Sequence, residues 1–525
     1  MTDAARMKKK EENVVRQRRR KRDRVGAYTI LAPPGVMTTR KPKKKSKSLQ
    51  KHQGKGVSGG MDALIPSVIG VGILICVIMA HSGFRGRATT AGIDLGTTNS
   101  VICVQAPSKG VGEITCILDP HTNSSIIPSV VSFLEPSERK KVKKTTSKLS
   151  PPPTHVLVGQ AAKHRIDSHP HQTLYHAKRL LGRTGTDRVL ANMQKEVEFG
   201  IVAQDDDSIG MQISHNHAIL SLAPSQVGSY VVSYLMEITQ LFLGHDNVKS
   251  AVICVPAKFN AKQRQETVQA FKDAGVTVTR ILEEPAAAAL AYGLHKKDGV
   301  EFILVYDFGG GTLDVSLLHV TEGFADVMGS DGDERLGGAD FDDAVAKLLQ
   351  RQVNVDSVAA ALQELHTGIA DDADLEVALS LACPTLETTP LCTLSSLHTI
   401  GEKLKIELSS KQEEVKSSCL TTTLEKPTSI DDFCASLRPI GVTLSLTAYD
   451  EAVQSLYERS VLPIRRLLKD LTLEPKDVHE VVMVGGTTRM PQVRKLVQQE
   501  MQTDSLNTHI DPDITVAYGA ASVID

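Results

Sequence analysis

Two stretches decide how this chain is read: residues 91–104, AGIDLGTTNSVICV, and residues 305–318, VYDFGGGTLDVSLL. Each has a strand running into an aspartate (Asp94, Asp307), a glycine-containing tight turn with hydroxyl residues, and a second strand leaving it. Glycines let backbone approach phosphate closely, while exposed N–H groups and Thr hydroxyls donate to its oxygens. An aspartate at each strand end is placed to hold a hydrated magnesium ion, which prefers hard oxygen ligands and retained waters. One such turn is most often an ordinary hairpin. Two matched, Asp-bearing turns 213 residues apart suggest facing hairpins that clamp a polyphosphate.

Outward from these turns, strand and helix alternate. Residues 251–255 (AVICV) read as a strand and 262–274 as an amphipathic helix closed by Gly275. Residues 280–282 end a short strand, and 285–292 (PAAAALAY) form a helix opened by proline. Residues 480–484 form a strand that meets Gly485, Gly486, Thr487 and Thr488, and 491–499 continue as a helix, so a glycine turn lies beside a helix start, suited to a nucleotide. The pattern predicts α/β layers.

The whole chain has 525 residues, 41% hydrophobic and 23% charged, with no Trp. Its length predicts about three or four domain-sized units. A small disulfide-stapled fold, a collagen, whole-chain disorder and a polytopic membrane protein are excluded. The net charge of −1 combines unlike parts: residues 1–60 hold 19 Lys/Arg against four Asp/Glu, and the rest hold 41 against 57. Such charge density with few apolar residues predicts a disordered basic tail. Its runs at 16–24 and 40–47 read as solvated charge, with no specific nucleic-acid binding predicted.

Residues 63–80, ALIPSVIGVGILICVIMA, carry no charge. As a helix they rise ~27 Å, enough to span a bilayer. This predicts a transmembrane or signal-anchor segment over 61–84, with the basic tail cytoplasmic and the body translocated. The expected address is the endoplasmic reticulum membrane or lumen; a mitochondrion or the cytoplasm is the alternative. The eight cysteines show no CxxC pair and no Cys/His metal spacing, so no zinc site is expected. Cys103 and Cys254 lie in strand-like runs and read as small buried thiols. Cys383, Cys392, Cys419 and Cys434 fall within 52 residues and would pair in a lumenal body. Asn123-Ser124-Ser125 is a glycosylation sequon usable in that compartment.

The body resembles the nucleotide-binding domain of the 70-kDa heat-shock chaperone family, within the actin, sugar kinase and chaperone ATPase superfamily. The resemblance is carried by AGIDLGTTNS, TLYHAKRLLGR (173–183), VPAKFNAKQRQ (255–265), RILEEPAAAALAYGL (280–294), YDFGGGTLDVS (306–316), RLGGADFDD (335–343), VGGTTRMPQV (484–493) and DPDITVAYGAA (511–521). These stretches come in the family's order and cover roughly residues 90 to 523. The resemblance implies an actin-like bilobed ATPase with duplicated ribonuclease-H-like cores over 88–525. Lobe I would span about 90–295 plus the C-terminal helix, and lobe II about 296–510. It implies ATP or ADP and Mg2+ in the cleft, with K+ as a further candidate.

Carried over by position, Asp94 and Asp307 would organise Mg2+ through waters, while Gly96, Thr97, Thr98, Asn99, Gly309, Gly310, Gly311, Thr312 and Gly338 would grip the phosphates. Lys178 would stabilise charge on the γ-phosphate and Glu284 would position the attacking water, completing a catalytic set with Asp94, Asp307 and Thr312. Phosphoryl transfer depends mainly on positioning and charge neutralisation, so this set suffices. The adenosine pocket would come from Glu402, Lys405, Ser409, Gly485, Gly486, Thr487, Arg489 and Asp513. Pro256 and Arg264 match residues that relay nucleotide state, and Arg280 matches a contact for J-domain co-chaperones; a nucleotide exchange factor is a further implied partner.

The chain departs from the pattern at Ile406, where an arginine usually packs on adenine, and at Ala286, Ala339 and Lys258. An apolar Ile406 covers a ring face without the guanidinium stack, which predicts weaker nucleotide binding. The sequence stops soon after AYGAA, so no substrate-binding domain is expected, as in the membrane-associated, microsomal members. An insertion at 138–153 and an enlarged, partly acidic region at 350–437 read as surface elaborations. The leading expectation is a slow chaperone-type ATPase acting in protein folding through partners; the alternative is a non-enzymatic, nucleotide-sensing scaffold.

Overall fold

A computed structural model describes residues 89–105, 113–134, 155–366 and 379–524, apart from 167, 188–189, 191–192, 195–196, 216–217, 380–381, 412 and 425. The basic tail, the apolar segment at 61–84, the 138–153 insertion and residues 367–378 lie outside the described residues. Among the described residues no helix is long and apolar enough to cross a membrane.

The two Asp-bearing hairpins each sit at the centre of a sheet. In the first, β1 (Thr90–Asp94) pairs antiparallel with β2 (Asn99–Gln105), which pairs antiparallel with β3 (Ile114–Cys116). On its other side β1 runs parallel to β4 (Ser250–Val255), followed in parallel by the edge strand β5 (Thr277–Glu283). In the second sheet, β6 (Phe302–Phe308) pairs antiparallel with β7 (Leu313–Thr321), β7 with β8 (Phe324–Asp333), and β6 runs parallel to β9 (Glu480–Val484). The order β3-β2-β1-β4 is thus repeated as β8-β7-β6-β9. The sequence resemblance between the two turns is therefore a resemblance between two whole sheets.

These strands form where the sequence runs apolar without alternation. Residues 100–104 are all buried, as are 303–306, because both faces of each sheet are covered. α2 (Pro224–Leu243) and α3 (Ala261–Asp273) build the first lobe's main core with Phe133, Phe199 and Phe271. α3 begins on a capping box in which the Asn260 side chain accepts from Gln263 N and the Gln263 side chain accepts from Asn260 N. In the second lobe, α5 (Gly338–Gln350), α6 (Leu394–Lys411), α7 (Leu446–Leu471) and α8 (Pro491–Met501) surround a core containing Phe308, Phe341 and Tyr457. Phe308 meets the edge of Tyr306 at 5.8 Å and of Phe341 at 6.1 Å, which ties the start of α5 to the Asp307 strand.

Two small helices join the lobes. α4 (Glu284–Ala291) packs Ala287–Ala289 into a core shared with Val252, Val305, Val482 and Val516. α9 (Thr515–Ser522) returns to the first sheet, where Ala517 and Ala521 pack on Val101 and Cys103. The helices meet so closely that a Cβ at Gly519 would collide with the Ala287 carbonyl, so only glycine fits there.

One expectation needs correction. Cys103 is not a simple buried thiol: it faces Cys116 directly across β2 and β3 and forms a disulfide with it. The described residues of the elaboration at 350–437 are folded. They include the helices Val355–His366 and Ile430–Ser436 and the strand Val415–Thr421, which pairs with Arg438–Leu444 just beyond the region. Leu365, Leu379, Leu420 and Phe433 form a small core there, stapled by Cys383–Cys434 and Cys392–Cys419. The pairing expected of the last four cysteines is observed. Cys254 is buried and free.

Candidate functional site

The site lies where both hairpin turns meet. Thr98 O accepts from Ser129 N (2.8 Å), Gly96 O accepts from the Ser129 hydroxyl (2.8 Å), and Gly96 N donates to the Ser100 hydroxyl (3.2 Å), which fixes the first turn from behind. The second turn closes through Gly309 N to Thr312 O at 3.0 Å, and its carbonyls accept from the start of α5: Gly338 N to Gly309 O (3.1 Å) and Ala339 N to Gly310 O (2.8 Å). A Cβ at Gly310 would lie 2.9 Å from the Thr98 hydroxyl, and one at Gly337 would strike the backbone of Gly310 and Gly311. Glycine is required at 337, where α5 starts against the backbone of the second turn, and at 310 it lets the Thr98 side chain lie close against that turn. The predicted phosphate set of Gly96, Thr97, Thr98, Gly309–Thr312 and Gly338 is thereby brought together; Asn99 is exposed at the start of β2.

Below the turns is a buried charge cluster. A short helix, α1 (Ala177–Leu180), presents Lys178, whose Nζ donates to Glu284 Oε1 at 2.7 Å and lies 3.7 Å from Asp94 Oδ1. Burial alone would lower the lysine's pKa, but the Glu284 and Asp94 carboxylates more than offset it and hold the ammonium charged. Burial raises the pKa of Asp94 and Glu284, with Lys178 opposing. Asp307 rises well above the carboxylate range, through burial and then through Glu284, Asp314 and Asp94. Asp94 Oδ1 is buried with no hydrogen-bond partner. An orphaned carboxylate oxygen and a second aspartate with elevated pKa, set beside two glycine turns, fit a magnesium nucleotide.

His176 precedes this lysine in the left-handed region, φ 60°. Burial, then the nearby Arg179 charge, lowers its pKa to about 4, with the Thr97 backbone opposing. An imidazole kept neutral when folded contributes stability above its unfolded pKa of about 6.5 that is lost as pH falls toward 4. The share at stake is about 3 kcal/mol. Urea unfolding at pH 7 and pH 5 should therefore show a smaller pH-dependent loss in His176→Asn, since Asn tolerates the left-handed backbone. Equal losses in both proteins would refute this.

On the nucleoside side the predicted residues hold one another. Arg489 pairs with Asp511 and Asp513, the latter at 2.9 Å. Gly485 N donates to Pro512 O at 3.0 Å, and a Cβ at Gly486 would lie 2.9 Å from Asp513 Oδ1. Lys405 pairs with Asp342 at 2.7 Å and donates to Gly338 O at 3.2 Å, while Ser409 donates to Lys405 O at 2.9 Å. Glu402 pairs with Lys163 of the first lobe at 3.5 Å. The Thr487 hydroxyl donates to Gly309 O at 2.9 Å, which braces the phosphate turn from the nucleoside side. Ile406 is 60% exposed on α6.

Sequence reasoning missed Arg179, whose Nη2 donates to Gly311 O at 2.6 Å and links α1 to the second turn. Its signal was its place beside Lys178 in HAKR. Asp314 was missed too, although it is a charged residue between the buried Leu313 and Val315. Arg264, expected to relay nucleotide state, pairs with Glu283 at 2.7 Å and donates to Ala257 O (3.2 Å) and Phe259 O (2.9 Å), so it ties the 256–259 turn to the residue preceding Glu284. Arg280 is exposed on the edge strand β5.

The model of the Hsp70 protein family matches residues 90–367 and 389–524, most of the chain. The intervening residues fall in the elaborated region around Cys383. The match covers both hairpins, the Lys178–Glu284 cluster and α9, and with it come the family's properties: an actin-like ATPase domain, ATP or ADP with Mg2+, and ATP-dependent chaperone activity. On this evidence the chain belongs to the Hsp70 family.

Proposed function

We infer that this protein is a slow ATPase that assists protein folding through partners, of the membrane-associated, microsomal kind within its family. The observation that carries the reading is the buried Lys178–Glu284–Asp94 cluster beneath two facing glycine turns. Asp94 and Asp307 would hold magnesium through waters, and the ion would supply charge neutralisation on the phosphates. The turn amides and the Thr97, Thr98 and Thr312 hydroxyls bind and orient the phosphate chain. Lys178, held charged, faces the γ-phosphate and opposes the charge that grows there. Glu284 fixes that lysine and accepts a hydrogen bond from the attacking water. Arg489, Asp513, Lys405 and Glu402 frame the nucleoside, with Ile406 in place of an aromatic-stacking arginine; K+ has no assigned ligand here.

A lumenal address is supported by three disulfides among the described residues, since such bonds persist in oxidising compartments. The apolar run at 63–80 supports a single span with a cytoplasmic N-terminus. Asn123, exposed in a turn at φ 55°, is an accessible glycan acceptor. Microsomal protein should shift on endoglycosidase treatment, and Asn123→Gln should abolish the shift. An unshifted protein with free thiols would contradict this address. For partners, the exposed Arg280 on β5 is the proposed J-domain contact: a J-domain should stimulate phosphate release, and Arg280→Ala should remove the stimulation while leaving basal turnover intact.

The scaffold alternative draws on Ile406 and on the Arg179–Gly311 tie, which joins the lobes directly. Stoichiometric ATP binding without phosphate release would favour it.

A further inference from the structure

The second hairpin carries a charge conflict that the first does not. Asp307 and Asp314 stand directly opposite each other across β6 and β7, whereas Asp94 stands opposite Val101. Like charges directly opposite in an antiparallel pair repel. Glu284 adds a third carboxylate lining the same space. Among the described residues Asp307 makes no ion pair, and the ammonium of Lys258 lies 3.3 Å from Asp314 Oδ1.

Lys258 comes from the other lobe. It sits in the 256–259 turn after β4, closed by Phe259 N to Pro256 O at 3.0 Å and gripped by Arg264 through the Ala257 and Phe259 carbonyls. The turn thus delivers a tethered positive charge to the floor of the cleft. There Lys258, Glu284, Asp307, Asp314, Ser316 and Ser330 line a cavity of about 10 Å3, room for roughly one water. An exposed ion pair usually contributes little. Here the lysine shares the cavity with three carboxylates, Asp314 among them, and the phosphates of a bound nucleotide would add more negative charge.

We propose that the Lys258 ammonium is a built-in monovalent cation: it neutralises Asp314 beneath the phosphate site, so that MgATP binding and turnover do not depend on K+ or another monovalent ion in the medium. A K+ ion seated on Asp314 would meet a fixed like charge, so the residues present do not suit the K+ that the sequence suggested. The proposal rests on the ATPase reading above and deepens it by naming what balances the site's charge.

The test uses the full chain and measures MgATP affinity and single-turnover phosphate release at one ionic strength in K+, Na+ or N-methyl-D-glucamine chloride. Wild type should behave alike in all three. Lys258→Met should lose about tenfold in affinity in N-methyl-D-glucamine and recover in K+. Lys258→Arg should remain insensitive to the cation, and Lys258→Met/Asp314→Asn, which removes both charges, should be insensitive again. Such a pattern cannot arise from misfolding, because one variant is rescued by an ion and another by a second substitution. K+ stimulation of wild type equal to that of Lys258→Met, or a Lys258→Met loss of the same size in every salt, would overturn the proposal while leaving the ATPase reading intact. Absence of MgATP binding by wild type in every salt would overturn that reading and this one together.

Discussion

Lys178→Ala should reduce γ-phosphate release by about 10²- to 10³-fold while nucleotide still binds. The lysine is held charged in the buried cluster by two carboxylates at 2.7 and 3.7 Å, and in the proposed site it meets the γ-phosphate. Charge developing on the phosphoryl oxygens is stabilised best by a donor already fixed in a water-poor site, and such a donor costs no reorganisation during reaction. The substitution also removes the partner of two buried acids. Glu284 and Asp94 then take up protons more readily, which limits the loss of stability and lets the variant remain folded. A filter-binding assay run beside phosphate detection separates retained binding from lost release. Turnover at the wild-type rate would mean that Lys178 does not face the reacting phosphate.

Asp307→Asn should have opposite effects on function and on stability. Without nucleotide, Asp307 is a desolvated carboxylate crowded by Glu284, Asp314 and Asp94, and its pKa is raised well above the usual value. A raised acid pKa means that the folded state binds the proton more tightly than the unfolded chain. This group's contribution therefore falls as pH rises from about 4 through the folded-state value. Replacing it with Asn removes that penalty, so the nucleotide-free protein should be more stable at pH 7. The same change removes a magnesium-organising oxygen, and MgATP affinity should drop by about 10- to 100-fold. Thermal melts with and without MgATP read both effects: the variant should melt higher alone and gain less from nucleotide. A variant that melts lower alone and gains as much as wild type would contradict the assignment.

Local chemistry accounts for what was legible in the sequence. Asp94 and Asp307 stand at strand ends followed by glycine turns, a pattern set by neighbouring residues. The predicted strand at 480–484 is observed with the same limits, and the one at 251–255 begins one residue earlier. Lys178 and Glu284 could be placed in the same site only through the family resemblance, because nothing local links residues 106 apart. What remained hidden depends on register and on the meeting of the lobes. Cys103 faces Cys116 only because β2 and β3 pair in that register. Lys258 reads as an odd substitution until the 256–259 turn is seen against Asp314. The hydrogen bond from the Thr487 hydroxyl to the Gly309 carbonyl likewise exists only where the two turns meet.

Whether two facing turns over a buried Lys–Glu–Asp cluster form an ATP-hydrolysing site is decided by one single-turnover experiment on the full chain with MgATP in slight deficit. Wild type should show a slow, first-order release of phosphate from bound ATP, abolished by EDTA and by Lys178→Ala. Bound MgATP that stays unhydrolysed in wild type, or release unchanged in Lys178→Ala, would contradict it.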